Sequence, residues 1–445
     1  MTDPLPNLIQ EVVAAPLTGE TDSVAHIMLE EDASDIALLL ESIPVEQRLA
    51  VWNEVPRHKK IDVLVAMRGD PREVLIDATE NDEWQQLFTD MDAEILLELA
   101  DSLPDRLVES ALAVMNKQQR KYFQDASLFA DNQIGHWLSH EVLVLPISAK
   151  VRDALRLIRR NVPDLTDCIF LVNRAGHFTE AVRLTSVFGA PEHLPLVEIS
   201  EEYIDVVKVD DDSVNASRLV QRAGYMALPA VDSNNVLQGR VDMITASELV
   251  NENYERQVMS SAGMDEDEDL FAPVRKSAKS RAVWLGINLI TAFLASWFIG
   301  LFEATLQQVV ALAVLMPVVA SMGGIAGSQT LTLIVRGLAL GQVTRGNRNA
   351  LLQKELRVGG LNGVIWAVVI GIVAFFWFSD PLLGLVIALA ILFNIIAAAL
   401  AGVSLPIILD KLKIDPALSG SVILTTVTDI VGFVAFLGLG TLFLL

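Results

Sequence analysis

Cysteine and histidine are scarce in this sequence, and both are absent from residues 282–445. The one cysteine is Cys168, and all six histidines lie before residue 282. A single cysteine excludes an intrachain disulfide and a thiolate metal cage. Without either ligand, residues 282–445 do not offer the soft donors that zinc or copper prefers. They also lack a Ser–His pair and an H-E-x-x-H motif, so we expect no enzymatic activity.

Basic residues are outnumbered, and the imbalance is confined to one part of the chain. The formal net charge is −23 at pH 7. Residues 282–445 contain six acids and seven Lys or Arg, so residues 1–281 carry a net charge of −24. A strongly acidic surface repels nucleic acid and attracts cations. We therefore expect metal cations, and no nucleic acid, among the partners of this first part.

Residues 282–445 are almost continuously apolar. Five stretches have the roughly 20 residues that a helix needs to cross a bilayer, and they lie near residues 282–301, 308–335, 358–378, 382–409 and 418–445. Lys and Arg cluster before the first stretch, between the second and third, and between the fourth and fifth. The positive-inside rule then places the N-terminus in the cytoplasm and the C-terminus outside. We see no secretory signal pattern, so we expect a multi-pass protein of the inner (plasma) membrane.

Composition and periodicity divide the chain into four predicted domains. Residues 1–135 have apolar positions at helical spacing and a weak internal repeat, which predict a superhelical array of α-helices, the N domain. Residues 136–250 alternate short strands and helices and predict two α+β units. Residues 251–281 predict a connecting helix that leads into the membrane, and residues 282–445 predict a five-helix transmembrane domain.

The second α+β unit has a recognisable order of elements. A Leu-Pro-Ala-Val-Asp strand at residues 228–232 is followed by a turn, a Gly-bearing strand and a helix that begins near Thr245. This order resembles a CBS domain, and the first unit resembles a more divergent copy. Paired CBS domains usually act as sensors, and Thr245 and Glu248 match positions that hold a nucleotide ribose in some of them. The resemblance implies a candidate ATP site, although no phosphate-binding loop is visible.

One carboxylate, Asp429, lies in the middle of the last apolar stretch. No Lys, Arg or His is at comparable depth. A carboxylate at the centre of a spanning helix costs about 2.5–3.5 kcal/mol on insertion scales, so it usually marks an ion path. At helical spacing it shares a face with Ser421, Thr425 and Gly432. We therefore predict that Asp429, with Ser421 and Thr425, meets an ion.

A second polar face runs along the second apolar stretch. It consists of small, hydroxylated and basic residues at helical spacing: Ser321, Gly324, Ser328, Thr332 and Arg336. We predict that its small and hydroxylated members line the same path. The glycine pairs 323/327 and 359/363 have the spacing of close helix packing instead.

The ligand types on these faces favour a hard cation. Magnesium takes octahedral oxygen ligands, retains water and is typically held by one or two carboxylates. A single Asp429 per chain supplies too few ligands to coordinate an ion well. A twofold homodimer would bring two copies of Asp429 to a shared axis. The sequence therefore favours Mg²⁺ as the ion and a homodimer as the assembly.

The membrane part carries motifs of a known family. The run PVVASMGGIAGSQTLT at residues 317–332, followed by VRGLA at 335–339, resembles the second span of the MgtE magnesium channels. The runs IDPALSG at 414–420 and TTVTDIVGF at 425–433 resemble the fifth. The order of N domain, tandem CBS domains, connecting "plug" helix and five spans is also similar to MgtE. The resemblance covers essentially the whole chain.

This resemblance implies a homodimeric Mg²⁺ channel whose pore runs between the protomers and is lined by spans two and five. Asp429 corresponds to the pore aspartate of the family, Asp415 to an acid near the inner mouth, and Glu303 to an acid at the outer end of the first hairpin. In such proteins, intracellular Mg²⁺ bridges the acidic surfaces of the N domain, CBS domains and plug, and holds the channel shut.

Two departures from the family pattern concern the pore and the plug. Ile325 stands where the family usually has asparagine, and Arg256 and Gln257 align with an acidic pair of the plug helix. The altered plug shifts the expected Mg²⁺ sensing to nearby acids. The candidate regulatory ligands are Glu248, Glu252, Glu255, Asp265, Glu266 and Asp267.

Two other functions are compatible with these features. A secondary transporter would couple a divalent cation, Mg²⁺ or Co²⁺, to another ion and would use Asp429 as a protonation switch. A membrane-anchored sensor would use the spans only to dimerise the CBS domains, although the polar faces of spans two and five argue against it. Flux that follows a proton gradient distinguishes the transporter from a channel, and the absence of any flux supports the sensor.

Overall fold

The computed structural model describes residues 9, 21–89, 91–160, 162–201, 203–264, 267–414 and 416–445. The chain forms two compact units. The first comprises residues 1–255 and 267–273, and the second comprises residues 256–266 and 274–445. The first unit contains short helices and two small sheets, and the second contains the long apolar helices.

Short helices make up the beginning of the first unit. They are α1 (Thr21–Glu30), α2 (Ala33–Glu41), α3 (Val45–Glu54), α4 (Arg57–Ala66), α5 (Gly69–Ala78), α6 (Asn81–Leu87), α7 (Ala93–Leu99), α8 (Asp105–Val114) and α9 (Lys117–Ala126). Most of them pack against the helix two positions further along the chain, as α1 does on α3 and α2 on α4. Apolar side chains, including the fully buried Trp52 and Trp84, fill the space between them. This regular stacking is the predicted superhelical arrangement.

Two three-stranded sheets of identical topology follow. Their strands are β1 (Val144–Pro146), β2 (Cys168–Val172), β3 (Phe178–Arg183), β4 (Val207–Lys208), β5 (Ala227–Val231) and β6 (Leu237–Asp242). In each sheet the first strand is parallel to the second, and the second is antiparallel to the third. The helices of these units are α10 (Val151–Ile158), α11 (Leu184–Gly189) and α12 (Ser213–Ala223). The Phe178 N–H donates to the Asn235 carbonyl at 2.9 Å, so the two units are joined as a pair.

The connecting segment is not one helix, and the prediction for residues 251–281 was wrong on this point. Helix α13 (Met243–Ser261) ends before Gly263, which has a φ of 72°, and the next helix begins at Val274, after Pro273. Glycine adopts a left-handed conformation without a steric penalty and commonly ends a helix. Proline disfavours the helical conformation in the residue before it. We call the non-helical residues 267–273 the strap.

A buried ion pair fastens the strap to the N-terminal helices. The Arg48 guanidinium donates to both Asp269 carboxylate oxygens, at 2.6 and 2.9 Å. Arg48 is fully buried, and its Nε donates to the Leu40 carbonyl at 2.7 Å. The Gly69 N–H adds a hydrogen bond of 3.0 Å to Asp267. Bidentate geometry and satisfied donors offset the cost of taking both charges out of water.

The second unit contains five helices that are long and apolar enough to cross a membrane. Spans one to five are Val274–Gly300, Val310–Ala339, Arg348–Phe378, Pro381–Lys411 and Pro416–Leu444. Span three begins before the predicted residue 358, because a charged segment continues the helix ahead of the apolar stretch. A short helix, α14 (Glu303–Gln308), lies between spans one and two. The order of helices, paired α+β units and five spans confirms the predicted fold class.

Glycines allow the spans to approach closely. A methyl group added at Gly359 would lie 2.8 Å from the Ala399 Cβ, and one added at Gly363 would lie 2.9 Å from Leu392. The predicted packing role of these two glycines is confirmed, and their partner is span four. Span four also contacts spans two and five, and it is the most buried of the five spans.

Spans two and five pack against each other in antiparallel directions. Near one end, Leu312 of span two lies against Gly440 of span five, where an added methyl group would be 2.8 Å away. Near the other end, Leu331 lies against Gly420 at 3.1 Å by the same measure. Small residues that face large ones are a common way for membrane helices to gain van der Waals contact.

Span three carries a buried carboxylate that has partners. Glu355 accepts hydrogen bonds from the Thr330 hydroxyl at 3.3 Å and from the Lys354 ammonium group at 2.5 Å. Glu355 is only 4% exposed, whereas the Lys354 side chain remains largely exposed. The charge of Glu355 is therefore compensated within the protein.

We expect the substitution Arg48→Met to destabilise the first unit by about 3–5 kcal/mol, because Asp269 would keep a buried charge without its partner. A loss of this size lowers the thermal midpoint of a region of this length by roughly 6–20 °C. Limited proteolysis of the full-length protein at increasing temperature measures this midpoint at the strap. Arg106→Met, at an exposed position, is the matched control. Equal midpoints for the two variants would contradict the structural role of the ion pair.

Candidate ion path and acidic cavity

Asp429 lies near the middle of span five and is half-buried. Residues 416–445 contain no Lys, Arg or His, and their other polar side chains are hydroxyls. The segment forms a helix because backbone polar groups in hydrocarbon must bond to one another. No basic residue on its own helix neutralises the Asp429 carboxylate, and the side chain remains partly exposed.

The hydroxyl groups near Asp429 donate hydrogen bonds to backbone carbonyls of their own helix. The Thr425 hydroxyl donates to the Ser421 carbonyl at 2.9 Å, and the Thr428 hydroxyl donates to the Thr425 carbonyl at 3.0 Å. A hydroxyl that donates in this way turns only oxygen lone pairs to its surroundings. Thr425 is exposed, and Ser421 is half-buried. This face of span five therefore presents acceptors, which are what a hard cation requires.

The polar face of span two is open in the single chain. Ser321, Ser328 and Thr332 are exposed, and nothing lies within 4 Å of a methyl group added at Gly324. Ile325 is 56% exposed on the same side of the helix. It places one apolar side chain among the hydroxyls. Because lipid does not satisfy hydroxyl groups, such a face requires water, ions or another protein surface.

Gly432 does not belong to the open face, so its predicted place on the face that Asp429 shares with Ser421 and Thr425 was wrong. It is buried, and a methyl group added there would lie 2.5 Å from the Asn394 Nδ2 and 3.1 Å from Val319. Asn394 of span four escaped the sequence analysis. The available signal was an isolated amide within a long apolar run, which is as unusual in a spanning helix as an isolated acid.

Three predicted site residues, Asp415, Asp265 and Glu266, lie outside the described residues. Glu303 is exposed at the first position of α14, where it accepts a hydrogen bond from Gln307 at 3.1 Å. Its exposure agrees with a position at the mouth of a path rather than inside it.

The first unit contains a cavity of about 110 Å³ that carboxylates surround. Thr245, Glu248 and Glu252, which the sequence analysis selected, line it on α13. The other three acids of this acidic cavity were not predicted from the sequence: Glu94, Glu98 and Asp242. Asp242 also accepts hydrogen bonds from the backbone N–H groups of Ile244 and Thr245, both at 3.0 Å, and so caps α13.

The crowding of acids changes their protonation. Removal from water raises the pKa of Glu98 to about 7; nearby Arg72 opposes the rise, and Glu248 and Glu252 add to it. Burial, and then the charge of Asp242, raise the pKa of Glu248. The Glu98 side chain retains solvent access, so water screens these effects in part. The direction nevertheless means that a proton or a cation would relieve repulsion in the acidic cavity.

Other predicted regulatory acids already have partners in the first unit. Glu255 forms an ion pair of 2.8 Å with Arg68, and Asp267 accepts the hydrogen bond from Gly69. A metal ion would have to compete with these contacts. Within the described ranges, no group of three or more His, Cys, Asp or Glu side chains has the spacing of a metal site. A cation in the acidic cavity would therefore have to retain water ligands.

Two models of one protein family match this chain. The MgtE family model, described as a divalent cation transporter, matches residues 316–439, and the model of the MgtE intracellular N domain matches residues 31–132. The first of these ranges contains Asp429 and both polar faces.

Similar proteins extend over almost the whole length. The "Magnesium transporter MgtE" of Bacillus subtilis is 25% identical over 98% of this chain and 97% of its own length. That of Thermus thermophilus is also 25% identical, over 95% of this chain and 98% of its own. Among solved structures, a cystathionine beta-synthase (CBS) pair domain from Shewanella oneidensis is 31% identical and covers 38% of this chain and 98% of that chain, with a TM-score of 0.33.

The two matched ranges lie on either side of the paired α+β units, and the second lies within the five-span unit. The chain is a member of the MgtE family of divalent cation transporters.

Proposed function

We propose that this protein is a Mg²⁺ channel that mediates magnesium uptake across the inner membrane. The observation that carries the proposal is Asp429, a carboxylate without a basic neighbour on its helix, flanked by hydroxyl groups that present lone pairs. Oxygen ligands of this kind suit a cation that keeps much of its water. The near full-length relatives named as magnesium transporters support Mg²⁺ as the ion.

The open face of span two supports a homodimer. A second copy that packs near this face would give its hydroxyls an aqueous path in place of lipid. Twofold symmetry would also bring two Asp429 carboxylates to one axis, and a divalent cation would neutralise both. We propose that spans two and five of both protomers line the pore.

Cytoplasmic Mg²⁺ is proposed to close the channel through the acidic cavity. The cavity joins carboxylates of the N-terminal helices to those of α13, and their mutual repulsion opposes close approach. A hydrated Mg²⁺ among Glu98, Glu248 and Glu252, bound largely through its own water ligands, would offset that repulsion. Thr245 and Glu248 stay predicted nucleotide contacts, and the cavity's carboxylates favour a nucleotide that enters with a bound cation.

The proposed orientation has the first unit in the cytoplasm and the C-terminus outside. Single cysteines at two exposed positions test it in a Cys168→Ser background. Ala304→Cys, between spans one and two, should react with an impermeant thiol reagent added outside intact cells. Arg345→Cys, between spans two and three, should react only after the membrane is permeabilised. The reverse labelling pattern would overturn the orientation.

We expect Asp429→Ala to reduce Mg²⁺ uptake into liposomes at least about tenfold, because a divalent ion loses a direct charge partner in a low-dielectric path. The matched control is Asp380→Ala, a loop acid that caps span four. Uptake by Asp429→Ala at the wild-type rate would refute the pore assignment. Uptake that follows an imposed proton gradient would favour the coupled transporter with Asp429 as its protonation switch. Absence of uptake by the wild type would favour the sensor.

For gating, we expect Glu98→Gln and Glu252→Gln to raise the cytoplasmic Mg²⁺ concentration that half-inhibits the current. The expected increase is at least about threefold, since each removes a unit charge beside a divalent ion. Glu109→Gln, an equal charge change at an exposed position outside the cavity, should leave it unchanged. Patch-clamp recording from the cytoplasmic side gives this value and the maximal current separately.

Protons should compete with Mg²⁺ for the same cavity. With a pKa of about 7, Glu98 is mostly protonated at pH 6 and mostly ionised at pH 8. Inhibition by Mg²⁺ should therefore strengthen as the cytoplasmic pH rises through 7, and Glu98→Gln should flatten this dependence. An identical pH dependence in the wild type and in Glu98→Gln would remove Glu98 from the gating site.

A further inference from the structure

Asn394 is a buried amide in the middle of span four. The side chain is completely inaccessible to solvent, and its Nδ2 donates to the Val319 carbonyl of span two at 2.9 Å. Its Oδ1 is buried and has no hydrogen-bond partner among the described residues. An unsatisfied amide oxygen is costly in an apolar interior. An apolar side chain would avoid that cost, so packing alone does not explain the residue.

Two glycines make room for this amide. A methyl group added at Gly323 of span two would lie 2.2 Å from the Asn394 Nδ2, and one added at Gly432 of span five would lie 2.5 Å from it. Both distances are far below van der Waals contact, so any larger residue at either position would displace the amide. The amide thus occupies a notch that spans two and five form together.

The notch lies beside the residues of the proposed pore. Gly432 follows Asp429 by three residues, so the two positions are separated by less than one turn and by roughly 60° around the helix. Gly323 directly precedes Gly324 and lies two residues after Ser321. The amide therefore fixes the separation of spans two and five at the level of Asp429.

We propose that Asn394 is a positioning residue for ion selection. By hydrogen bonding to span two and filling the notch against span five, it sets the distance between Asp429 and the hydroxyl groups of span two. This proposal rests on the proposed Mg²⁺ channel function. Selection for a small, strictly octahedral ion over a larger one depends on rigid spacing of the ligands. Asn394 supplies that spacing without contacting the ion.

The test uses full-length channels in liposomes and compares Mg²⁺ flux with Ca²⁺ flux. Asn394→Ala should lower the Mg²⁺/Ca²⁺ flux ratio by at least about threefold, because small displacements of ligands have large effects. Its maximal Mg²⁺ flux should stay within about threefold of the wild type, since Asp429 remains in place. Asn394→Leu keeps the branched shape of the side chain, with a larger volume, and removes the hydrogen bond, so it should lower the ratio in the same way.

A pair of exchanges tests the notch itself. Gly323→Ala should lower Mg²⁺ flux by about tenfold, because its methyl group overlaps the amide. Combined with Asn394→Ala, the same methyl group enters the vacated space, so the double variant should recover the flux of Asn394→Ala alone. Gly360→Ala of span three, where nothing lies within 4 Å of an added methyl group, should resemble the wild type.

The outcomes separate this proposal from the channel function. Loss of flux in Asp429→Ala together with a wild-type ratio in both Asn394 variants would overturn the positioning role and leave the channel intact. Additive losses in the Gly323 and Asn394 double variant would overturn the notch. Indifference of Mg²⁺ flux to Asp429→Ala would instead refute the channel proposal. If Asn394→Ala fails to reach the membrane, Asn394→Leu carries the test of selection.

Discussion

The second unit depends on the cost of taking a polar group out of water, and it meets that cost in three ways. Glu355 is buried with a lysine and a threonine as partners. Asn394 is buried with one backbone partner in a glycine notch. Asp429 is only half-buried and has no basic residue on its helix. Other residues of the protein bind the Glu355 carboxylate and the amide nitrogen of Asn394. The Asp429 carboxylate instead requires a partner from outside the chain.

In the first unit, most of the charged groups stay in contact with water. Water offsets most of its acidic surface, whereas Asp269 is fully paired with a buried arginine. In the acidic cavity, burial first and then repulsion between neighbouring carboxylates raise the pKa of Glu98 and of Glu248. Clustered carboxylates that are partly shielded from water do not stabilise the fold, but they make it sensitive to the binding of cations.

Local patterns in the sequence predict most of the fold. The spans, the strands Cys168–Val172 and Ala227–Val231, and the isolated acid Asp429 are all visible because periodicity and composition act over a few turns. The break between α13 and span one also had local signals, Gly263 and Pro273. Asn394 and Glu98 were missed for a different reason. Their roles arise from residues of other helices, far away in the sequence, and no periodic pattern encodes those meetings.

The strap has a consequence for how the chain is made. Arg48 is synthesised 221 residues before Asp269, so the N-terminal helices exist for about half of translation with an arginine that lacks its carboxylate. The partner emerges only a few residues ahead of span one. Completion of the soluble fold and delivery of the first span to the membrane therefore fall at the same moment of synthesis, and a ribosome that stalls before residue 269 leaves a domain that has not yet closed.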